Sequence, residues 1–303
     1  MKSLVIGMGI GQLYLHVLVD LGHEVITVDT DAKRSADYTD VKSALREHEY
    51  FDTVNICTPN FTHLEIARAV AKHTKIVFIE KPGLETSAQW KHLCEEFPNT
   101  RFMMVKNNQY RDNINVLAQL AHKAKIINLT WNNNDRVPNP GTWFTTYDLS
   151  FGGVSRDLIP HLLSLFQSLS GFTHDQAKLD YETVDQRWQL KDLIKTDYGI
   201  VNPNGVYDVE DHMELHFNDA QGRKWFIESD WRTLNGDDRS ILMIFEDGSR
   251  YYYELGLCPE DAYKRMIDTA VKMTDVDAYW QHQYELDMWI HKTIESLDLV
   301  GAT

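Results

Sequence analysis

The sequence predicts an α/β domain with a parallel sheet, followed by an α+β domain built on one largely antiparallel sheet. Two observations predict this order. Over roughly the first hundred of the 303 residues, short apolar runs alternate with amphipathic segments, which is the pattern of parallel strands covered by helices. After about Val105 the segments instead alternate apolar and polar residues, and turn signals such as Asn235-Gly236 and Asp247-Gly248 join them. We therefore predict two domains, over residues 1–107 and 108–303.

Each apolar run of the first domain predicts one strand. The runs are Leu4–Ile6, Glu24–Val28, Thr53–Cys57, Ile76–Ile79 and Arg101–Val105. Between them, Thr62 with Glu65 and Thr86 with Gln89 have the spacing of a capping box, so each pair predicts the start of a helix.

The second domain is predicted to contain helices at both ends and strands between them. Helical patterns cover residues 114–122, 259–273 and 278–297. The alternating segments predict strands at Ile126–Trp131, Lys178–Trp188, Val209–Phe217, Lys224–Arg232, Ser240–Glu246 and Arg250–Glu254.

Composition excludes several classes of function. The formal net charge of −15 argues against nucleic acid or an anionic membrane as a partner, because both require basic surfaces. The three cysteines form no CxxC pair, so neither a disulfide framework nor a structural zinc site is expected, and a reducing cytoplasm is the simplest location. We find no signal peptide and no apolar run of about 18 residues that would span a membrane.

A glycine-rich turn follows the first predicted strand, in the run Gly7-Met8-Gly9-Ile10-Gly11. Such a turn at the start of a helix predicts a bound dinucleotide, whose pyrophosphate accepts from backbone N–H groups. The usual third glycine is replaced by Gln12, and Gly11 lies one place early. This departure weakens the expectation of close packing between helix and strand, but it does not affect the phosphate contacts.

Asp29 ends the second predicted strand, 22 residues after Gly7. A carboxylate at this position accepts from the adenosine ribose and repels a 2′-phosphate, so it favours NAD over NADP. Lys33 and Arg34 follow closely and would soften that preference.

The third and fourth predicted strands also end in polar motifs. The third leads into Thr58-Pro59-Asn60 and His63, where Pro59 marks the strand end and a helix follows. His63 taken alone is more often a surface or capping histidine. The fourth leads into Glu80-Lys81-Pro82, and a lysine there points into the crevice where ligands of parallel sheets bind.

Asp157 and His161 are the chemical candidates of the second domain. Their spacing places both side chains on one face of a helix. Pro160 is tolerated only in a first helical turn, so the helix should begin close to Asp157, beside Gly152-Gly153.

Together these stretches resemble the Gfo/Idh/MocA family of nicotinamide-dependent sugar and cyclitol oxidoreductases. Three of them lie in the first domain: the glycine turn, the segment from Asp52 to His63, and Glu80-Lys81-Pro82. A fourth comprises Trp143 and the segment from Gly152 to His161, where the family has a glycine pair, an aspartate and a histidine four residues later. The motifs occur in the order of the family up to about residue 165. Beyond that residue, only the succession of predicted strands agrees with the family.

The resemblance implies a Rossmann-type dinucleotide-binding domain over residues 1–107. Residues 108–303 then form the domain that binds substrate and mediates oligomerisation. The expected contacts with NAD come from Gly7, Met8, Gly9, Ile10, Gly11, Asp29, Thr58, Pro59, Asn60, His63, Glu80 and Lys81. The residues expected to line the substrate pocket are Lys106, Asn108, Tyr110, Trp143 and Arg156. The Lys81–Pro82 peptide bond is expected to be cis, as in similar turns that direct a lysine inward.

The implied reaction is transfer of a hydride between NAD and a secondary alcohol of a sugar, sugar derivative or cyclitol. His161 is the candidate base, Lys81 would stabilise the developing alkoxide, and Asp157 would orient the hydroxyl or the lysine. In some members of the family the lysine is the better proton carrier, so the first two roles are exchangeable. All three side chains are expected to meet at one substrate oxygen.

Two other functions remain open. The first is a dinucleotide-binding sensor without catalysis, which would have no reason to keep Lys81, Asp157 and His161 together. The second is a reductase of another substrate class, such as amino acids or tetrapyrroles.

The open face of the second sheet is predicted to lie between subunits of a homodimer or homotetramer. His212, Glu214 and His216 share one face of a strand, where a metal is conceivable but a solvated or subunit-facing surface is the better explanation. We therefore predict no metal site.

Overall fold

The structure is a computed structural model that describes residues 1–171, 177–193, 199–297 and 299. The chain forms two compact units. The first unit combines Met1–Tyr110 with Pro259–Lys292, and the second comprises Arg111–Cys258 and the chain from Thr293.

A five-stranded parallel sheet forms the centre of the first unit, with the strand order β2-β1-β3-β4-β5. The strands are β1 (Lys2–Ile6), β2 (Glu24–Val28), β3 (Phe51–Ile56), β4 (Thr74–Ile79) and β5 (Arg101–Met104). All five apolar runs therefore form the predicted strands, and β4 is buried along almost its whole length. The helices between them are α1 (Gly11–Asp20), α2 (Val41–Glu47), α3 (His63–Val70) and α4 (Ser87–Glu96).

The two capping boxes have different outcomes. Thr86 accepts from the N–H of Gln89 at 3.1 Å and caps α4 as predicted. Thr62 is the N-cap residue of α3, so the predicted helix start is confirmed, but its hydroxyl donates to the carbonyl of Pro59 at 2.7 Å and makes no cap bond to the helix.

Two C-terminal helices, α9 (Glu260–Lys272) and α10 (Asp277–Glu295), contribute to the first unit. On α9, the ring of Tyr263 lies edge-on to Tyr14 of α1 at 5.5 Å, and Lys264 pairs with Asp20 at 2.7 Å. The compact units therefore differ from a division at residue 107, which assigns both helices to the second domain. The helical periodicity of these segments gives no information about which sheet they cover.

A buried ion pair between Lys106 and Asp287 joins the end of β5 to α10. Both side chains are fully buried, and the ammonium also donates to the carbonyl of Met104 at 2.9 Å. The second oxygen of Asp287 accepts from the N–H of Met104 at 3.1 Å. Burial raises the pKa of Asp287 to about 6, against the opposing effect of Lys106. The expectation that Lys106 lines the substrate pocket is therefore wrong, because its charge is enclosed in the core of the first unit.

A six-stranded sheet forms the second unit, in the order β11-β10-β6-β9-β8-β7. Its strands are β6 (Ala124–Asn134), β7 (Ala177–Asp185), β8 (His212–Asp219), β9 (Lys224–Thr233), β10 (Asp238–Phe245) and β11 (Arg250–Glu254). Among these six described strands only β6 and β9 pair in parallel, so the prediction of a largely antiparallel sheet is confirmed.

One face of this sheet is covered by helices. The helices of the second unit are α5 (Ile114–Ala121), α6 (Tyr147–Ser150), α7 (Val154–Asp157) and α8 (Ile159–Ser170). Phe166 of α8 stacks on Phe217 at 5.2 Å and meets Trp225 edge-on at 4.8 Å. These contacts explain why the apolar residues of β8 and β9 alternate with polar ones.

The opposite face carries a row of aromatic and acidic side chains. His216 lies 4.6 Å from both Tyr181 and Phe226, and Glu214 stands directly opposite Glu228 in the register of β8 and β9. His212 shares the alternation, but it is buried, with Nδ1 3.4 Å from Asp185.

The Lys106–Asp287 pair yields a prediction about stability. Asp287→Ala should lower the free energy of unfolding by about 3–5 kcal/mol, because it leaves an ammonium buried without its counter-charge. The combined change Lys106→Met and Asp287→Leu should recover part of this loss. Urea unfolding followed by tryptophan fluorescence measures both values.

Glu96→Ala serves as the matched control for that experiment. Glu96 pairs with Arg68 at 2.9 Å, but both side chains are exposed, so its loss should cost no more than about 1 kcal/mol. A similar cost for Asp287→Ala would contradict the structural role of the buried pair.

Candidate active site

The glycine turn after β1 is shaped by a close approach to the end of β3. Gly7 has φ of +90°, and its N–H donates to the carbonyl of Val28 at 2.8 Å. A Cβ at Gly7 would lie 2.6 Å from the carbonyl oxygen of Cys57. Both the conformation and the contact therefore require glycine here.

The other two glycines of the turn have separate roles. A Cβ at Gly9 would meet no atom within 4 Å, so the backbone there is open to a ligand. A Cβ at Gly11 would lie 2.9 Å from Cγ1 of Val5. Gly11 thus allows α1 to pack closely on β1, although it lies one place early in the fingerprint. Ile10 is the N-cap of α1 and its side chain is exposed.

Asp29 lies at the end of β2 and is tied to the glycine turn. One carboxylate oxygen accepts from the N–H of Met8 at 2.6 Å, and the other accepts from the N–H of Asp31 at 2.8 Å. An ionised carboxylate offers about four lone-pair sites, so each oxygen can accept a further hydrogen bond. Lys33 and Arg34 form an exposed turn just after it.

The segment after β3 passes beside the glycine turn. Thr58 lies so close to Gly7 that a Cβ added at Gly7 would be 2.9 Å from its Cγ2. A 3-10 turn over Asn60–Thr62 then leads into α3. The predicted helix start after Pro59 is confirmed. Thr58, Pro59 and Asn60 are all half-buried.

His63 is fully buried and bridges two loops. Its Nδ1 lies 2.7 Å from the carbonyl of Gly83, and its Nε2 lies 2.8 Å from the carbonyl of Thr58. Burial lowers the pKa of His63, while the two carbonyls act in the opposite direction. The interpretation as a surface or capping histidine is wrong, and the complete burial of the ring also contradicts its expected contact with NAD. The ring joins the loop after β3 to the turn that carries Lys81.

Glu80 connects this turn to α1. Its Oε1 accepts from the hydroxyl of Tyr14 at 2.6 Å, and its Oε2 accepts from the N–H of Lys81 at 3.2 Å. Burial and the charge of Glu80 raise the pKa of Tyr14 well above its usual value. Both oxygens of Glu80 are therefore engaged in fixing the turn.

Lys81 begins the turn after β4, and its side chain is half-buried. The Lys81–Pro82 peptide bond is cis, which confirms that prediction. The first unit thus brings the glycine turn, Asp29, the Thr58 loop and Lys81 to the carboxyl ends of β1 to β4.

In the second unit, Asp157 ends α7 and His161 lies in the first turn of α8. Pro160 occupies that first turn, as the sequence predicts. Asp157 accepts from the indole N–H of Trp231 at 2.8 Å. The ring of His161 stacks on Trp131 with centroids 5.5 Å apart and planes inclined by 18°.

Glu210 fixes the glycine pair before α7. Its Oε1 accepts from the N–H groups of Gly153 at 2.8 Å and Ser155 at 3.1 Å, and its own carbonyl accepts from Val154 at 3.0 Å. Burial raises the pKa of this carboxyl. A Cβ at Gly153 would lie 1.9 Å from the carbonyl of Glu210, so glycine is required there.

Sequence reasoning missed Glu210, Trp131 and Trp231. The alternation of β6 and β9 marks both tryptophans as buried residues of a sheet, but it does not show that they touch Asp157 and His161. Glu210 carries no motif, and only its burial in the structure identifies its role.

The remaining predicted substrate residues lie in varied surroundings. Arg156 is buried and donates to the carbonyl of Phe151 at 3.1 Å, and Trp143 stacks on Phe144 at 3.9 Å. In the first unit, Asn108 is buried in a 3-10 turn. The hydroxyl of Tyr110 lies 2.8 Å from that of Tyr279.

Within the described residues, no helix is long and apolar enough to cross a membrane. Across the same part of the chain, no group of three or more His, Cys, Asp or Glu side chains is arranged to hold a metal ion.

The fold and the motifs define a Rossmann-type domain joined to an α+β domain. Residues 1–106 match the family model GFO_IDH_MocA, described as an oxidoreductase family with an NAD-binding Rossmann fold. Residues 1–106 thus match the NAD-binding domain of the Gfo/Idh/MocA oxidoreductases, and the predicted resemblance and cofactor class are confirmed.

Two curated relatives match part of the chain. A putative UDP-kanosamine synthase oxidoreductase subunit from Amycolatopsis mediterranei is 30% identical over 133 residues, which are 43% of this chain. A levoglucosan dehydrogenase from Pseudarthrobacter phenanthrenivorans is 26% identical over 209 residues, or 64% of this chain. The matches cover only 37% and 52% of the length of these relatives.

A solved structure extends the likeness to nearly the whole fold. The crystal structure of GenD2 from gentamicin A biosynthesis, in complex with NAD, has a TM-score of 0.77 and covers 98% of this chain and 92% of its own. Its sequence identity is 18%, so it establishes the shared fold alone.

The glycine turn supplies a test of dinucleotide binding. Gly9→Ala should leave the melting temperature nearly unchanged, because the methyl group meets no atom of the protein. It should weaken NADH binding at least about tenfold if the pyrophosphate approaches this backbone. Fluorescence titration with NADH and a thermal melt measure the two effects.

His16→Ala, on the exposed side of α1 and more than one turn from its N-terminus, is the control and should change neither quantity. Unaltered NADH affinity in Gly9→Ala would show that the dinucleotide does not approach the open backbone of this turn.

Proposed function

We propose that the protein is an NAD-dependent dehydrogenase acting on a secondary alcohol of a sugar, sugar derivative or cyclitol. The observation that carries the proposal is the linkage of Lys81 to the nucleotide-binding helix. Glu80 accepts from Tyr14 of α1 at 2.6 Å and from the N–H of Lys81 at 3.2 Å. A cationic side chain is thereby held at the strand ends of an NAD-binding fold, where a ligand of such a sheet lies.

The residues around the glycine turn fit the dinucleotide. The open backbone at Gly9 and the N-terminus of α1 would hold the pyrophosphate through backbone N–H groups. Asp29 would accept from the hydroxyls of the adenosine ribose with its remaining lone pairs. The loop of Thr58, Pro59 and Asn60 would contact the nicotinamide half.

When bound, NAD supplies the hydride acceptor, and the protein supplies position and proton transfer. The imidazole of His161 would take the proton of the substrate hydroxyl. The ammonium of Lys81 would stabilise the negative charge that develops on the oxygen. Asp157, oriented by Trp231, would hold the hydroxyl or the lysine. In the alternative assignment Lys81 carries the proton and His161 orients the substrate.

The substrate class is supported by the relatives. One is a levoglucosan dehydrogenase, and another is an oxidoreductase subunit of a putative UDP-kanosamine synthase, so both act in carbohydrate chemistry. We assign substrate binding to the second unit, where Arg156 and Trp143 are the candidate contacts, together with Asn108 of the first unit.

We further propose a homodimer or homotetramer assembled through the uncovered face of the second sheet. That face presents Tyr181, His216, Phe226 and Tyr252, and Tyr252 is 61% exposed. An aromatic surface of this kind is costly to leave in water. Light scattering at micromolar concentration should give at least twice the chain mass of 35.2 kDa, and a monomer would contradict the proposal.

Cofactor preference follows from Asp29. We expect NADH to bind at least about tenfold more tightly than NADPH, because a 2′-phosphate would face this carboxylate. Calorimetry with both cofactors measures the difference, and Asp29→Asn should reduce it. Tighter binding of NADPH by the unaltered protein would overturn the preference and implicate Lys33 and Arg34.

Turnover should depend on both candidate proton-handling residues. A panel of sugars, cyclitols and nucleotide sugars, screened by NADH absorbance, first identifies a substrate. Lys81→Ala and His161→Ala should then each reduce kcat by roughly 10²–10⁴-fold, while NADH affinity in His161→Ala stays near normal. Near-normal turnover in both variants would refute the mechanism, and failure of the whole panel would favour the sensor.

A further inference from the structure

The turn that carries Lys81 is fixed by buried groups outside it. After Lys81 the chain continues through Pro82, Gly83 and Leu84, all buried, and Gly83 has φ of +80°. Within the turn, the N–H of Gly83 donates to the carbonyl of Glu80 at 2.9 Å. Two other backbone groups, the carbonyl of Gly83 and the N–H of Leu84, bond to histidines far away in sequence.

His291 of α10 holds the far end of the turn. Its Nε2 accepts from the N–H of Leu84 at 3.2 Å, while its Nδ1 lies 2.7 Å from the carbonyl of Asp287. A carbonyl can only accept, so Nδ1 carries the proton and Nε2 is the acceptor. The ring also packs against Gly83, where a Cβ would lie 3.0 Å from it, and against Trp90 at 5.3 Å.

His63, the first residue of α3, contacts the same turn. Its Nδ1 lies 2.7 Å from the carbonyl of Gly83, and its Nε2 lies 2.8 Å from that of Thr58. Both partners are carbonyls, which only accept, so a neutral ring donates to one of them and contacts the other. In either tautomer the ring lies between the lysine turn and the loop beside the glycine turn. Both histidines are almost completely inaccessible to solvent, so neither can touch a substrate.

A lysine side chain has four rotatable bonds, so its ammonium is only as well placed as its own backbone. Misplacement of a reacting group by about 1 Å can cost about 10²-fold in rate. Two buried imidazoles that contact adjacent residues, Gly83 and Leu84, restrain the backbone of the turn. This is the arrangement expected of groups that support a catalytic side chain.

We propose that His63 and His291 are positioning residues that fix the Lys81 turn for catalysis. The proposal rests on the catalytic role of Lys81 given above. It assigns no chemistry to either histidine, since every ring nitrogen faces a backbone group of the protein.

Paired substitutions test each histidine. His291→Gln keeps an acceptor for the N–H of Leu84, whereas His291→Leu fills the space without one. His63→Asn keeps a donor for the carbonyl of Gly83, whereas His63→Leu has none. His92→Leu is the control, because His92 is an exposed residue of α4.

The first readout needs no substrate. Hydrogen exchange of the peptide covering residues 80–86 should be at least about tenfold faster in the two Leu variants, because the turn opens more easily. The Gln and Asn variants should restore much of the protection. The pH dependence of covalent amine labelling at Lys81, followed by mass spectrometry, should shift in the Leu variants and not in His92→Leu.

The second readout uses a substrate once one is found. The Leu variants should lose about 10–100-fold in kcat with little change in KM or NADH affinity, and the Gln and Asn variants should recover part of that loss. A general structural defect would instead lower NADH affinity and the melting temperature together.

The outcomes separate this proposal from the proposed function. Unchanged exchange and labelling at the lysine turn in both folded Leu variants would overturn the positioning role, as would unchanged kcat. Should a Leu variant fail to fold, its Gln or Asn partner decides: exchange at residues 80–86 that is faster than in His92→Leu, with altered labelling of Lys81, supports the role, and exchange and labelling equal to those of His92→Leu overturn it. Normal turnover in Lys81→Ala would refute the catalytic role of Lys81. It would not affect the conclusion, drawn from hydrogen exchange, that the two histidines restrain the turn.

Discussion

The close approach between the glycine turn and the end of β3 is the constraint on which the first unit depends. Because a Cβ at Gly7 would lie 2.6 Å from the carbonyl of Cys57, only glycine lets the chain turn there. That turn directs α1 along β1, where Gly11 permits contact with Val5. The same helix then places Tyr14 against Glu80, one residue before Lys81. The requirement for glycine at position 7 therefore affects the candidate catalytic turn through α1 and the hydrogen bond between Tyr14 and Glu80.

The second unit holds its candidate residues by a different means. The glycine pair before α7 depends on the buried carboxylate of Glu210, which accepts hydrogen bonds from two backbone N–H groups. Without these two donors the carboxylate would be a buried charge that has lost its hydrogen-bond partners. Asp157 and His161 are restrained by two tryptophans of the sheet. Indole groups suit this task because they combine a large rigid surface with one directional donor.

Sequence patterns predicted the elements well because each strand period and turn signal is local. Both sheets and the helix start near Pro160 follow from such signals. The failures involve partners that are distant in sequence. Nothing around Lys106 shows that Asp287, 181 residues later, neutralises it, so the local sequence does not distinguish this buried lysine from a pocket residue. The same holds for His63, because its partner Gly83 belongs to another loop. The sequence also does not show that α9 and most of α10 belong to the first unit. Amphipathicity identifies the buried face of a helix but not the element on which that face packs.

The ways in which the imidazoles are held bear on which one can exchange protons with a substrate. At His63 and His291 both ring nitrogens face backbone groups and both rings are almost completely buried, so neither imidazole can reach a substrate proton. The ring of His161 stacks on Trp131 and is only half-buried. His161 therefore remains the candidate base of the three, whereas full burial suits His63 and His291 to holding the turn of Lys81 rather than to proton transfer.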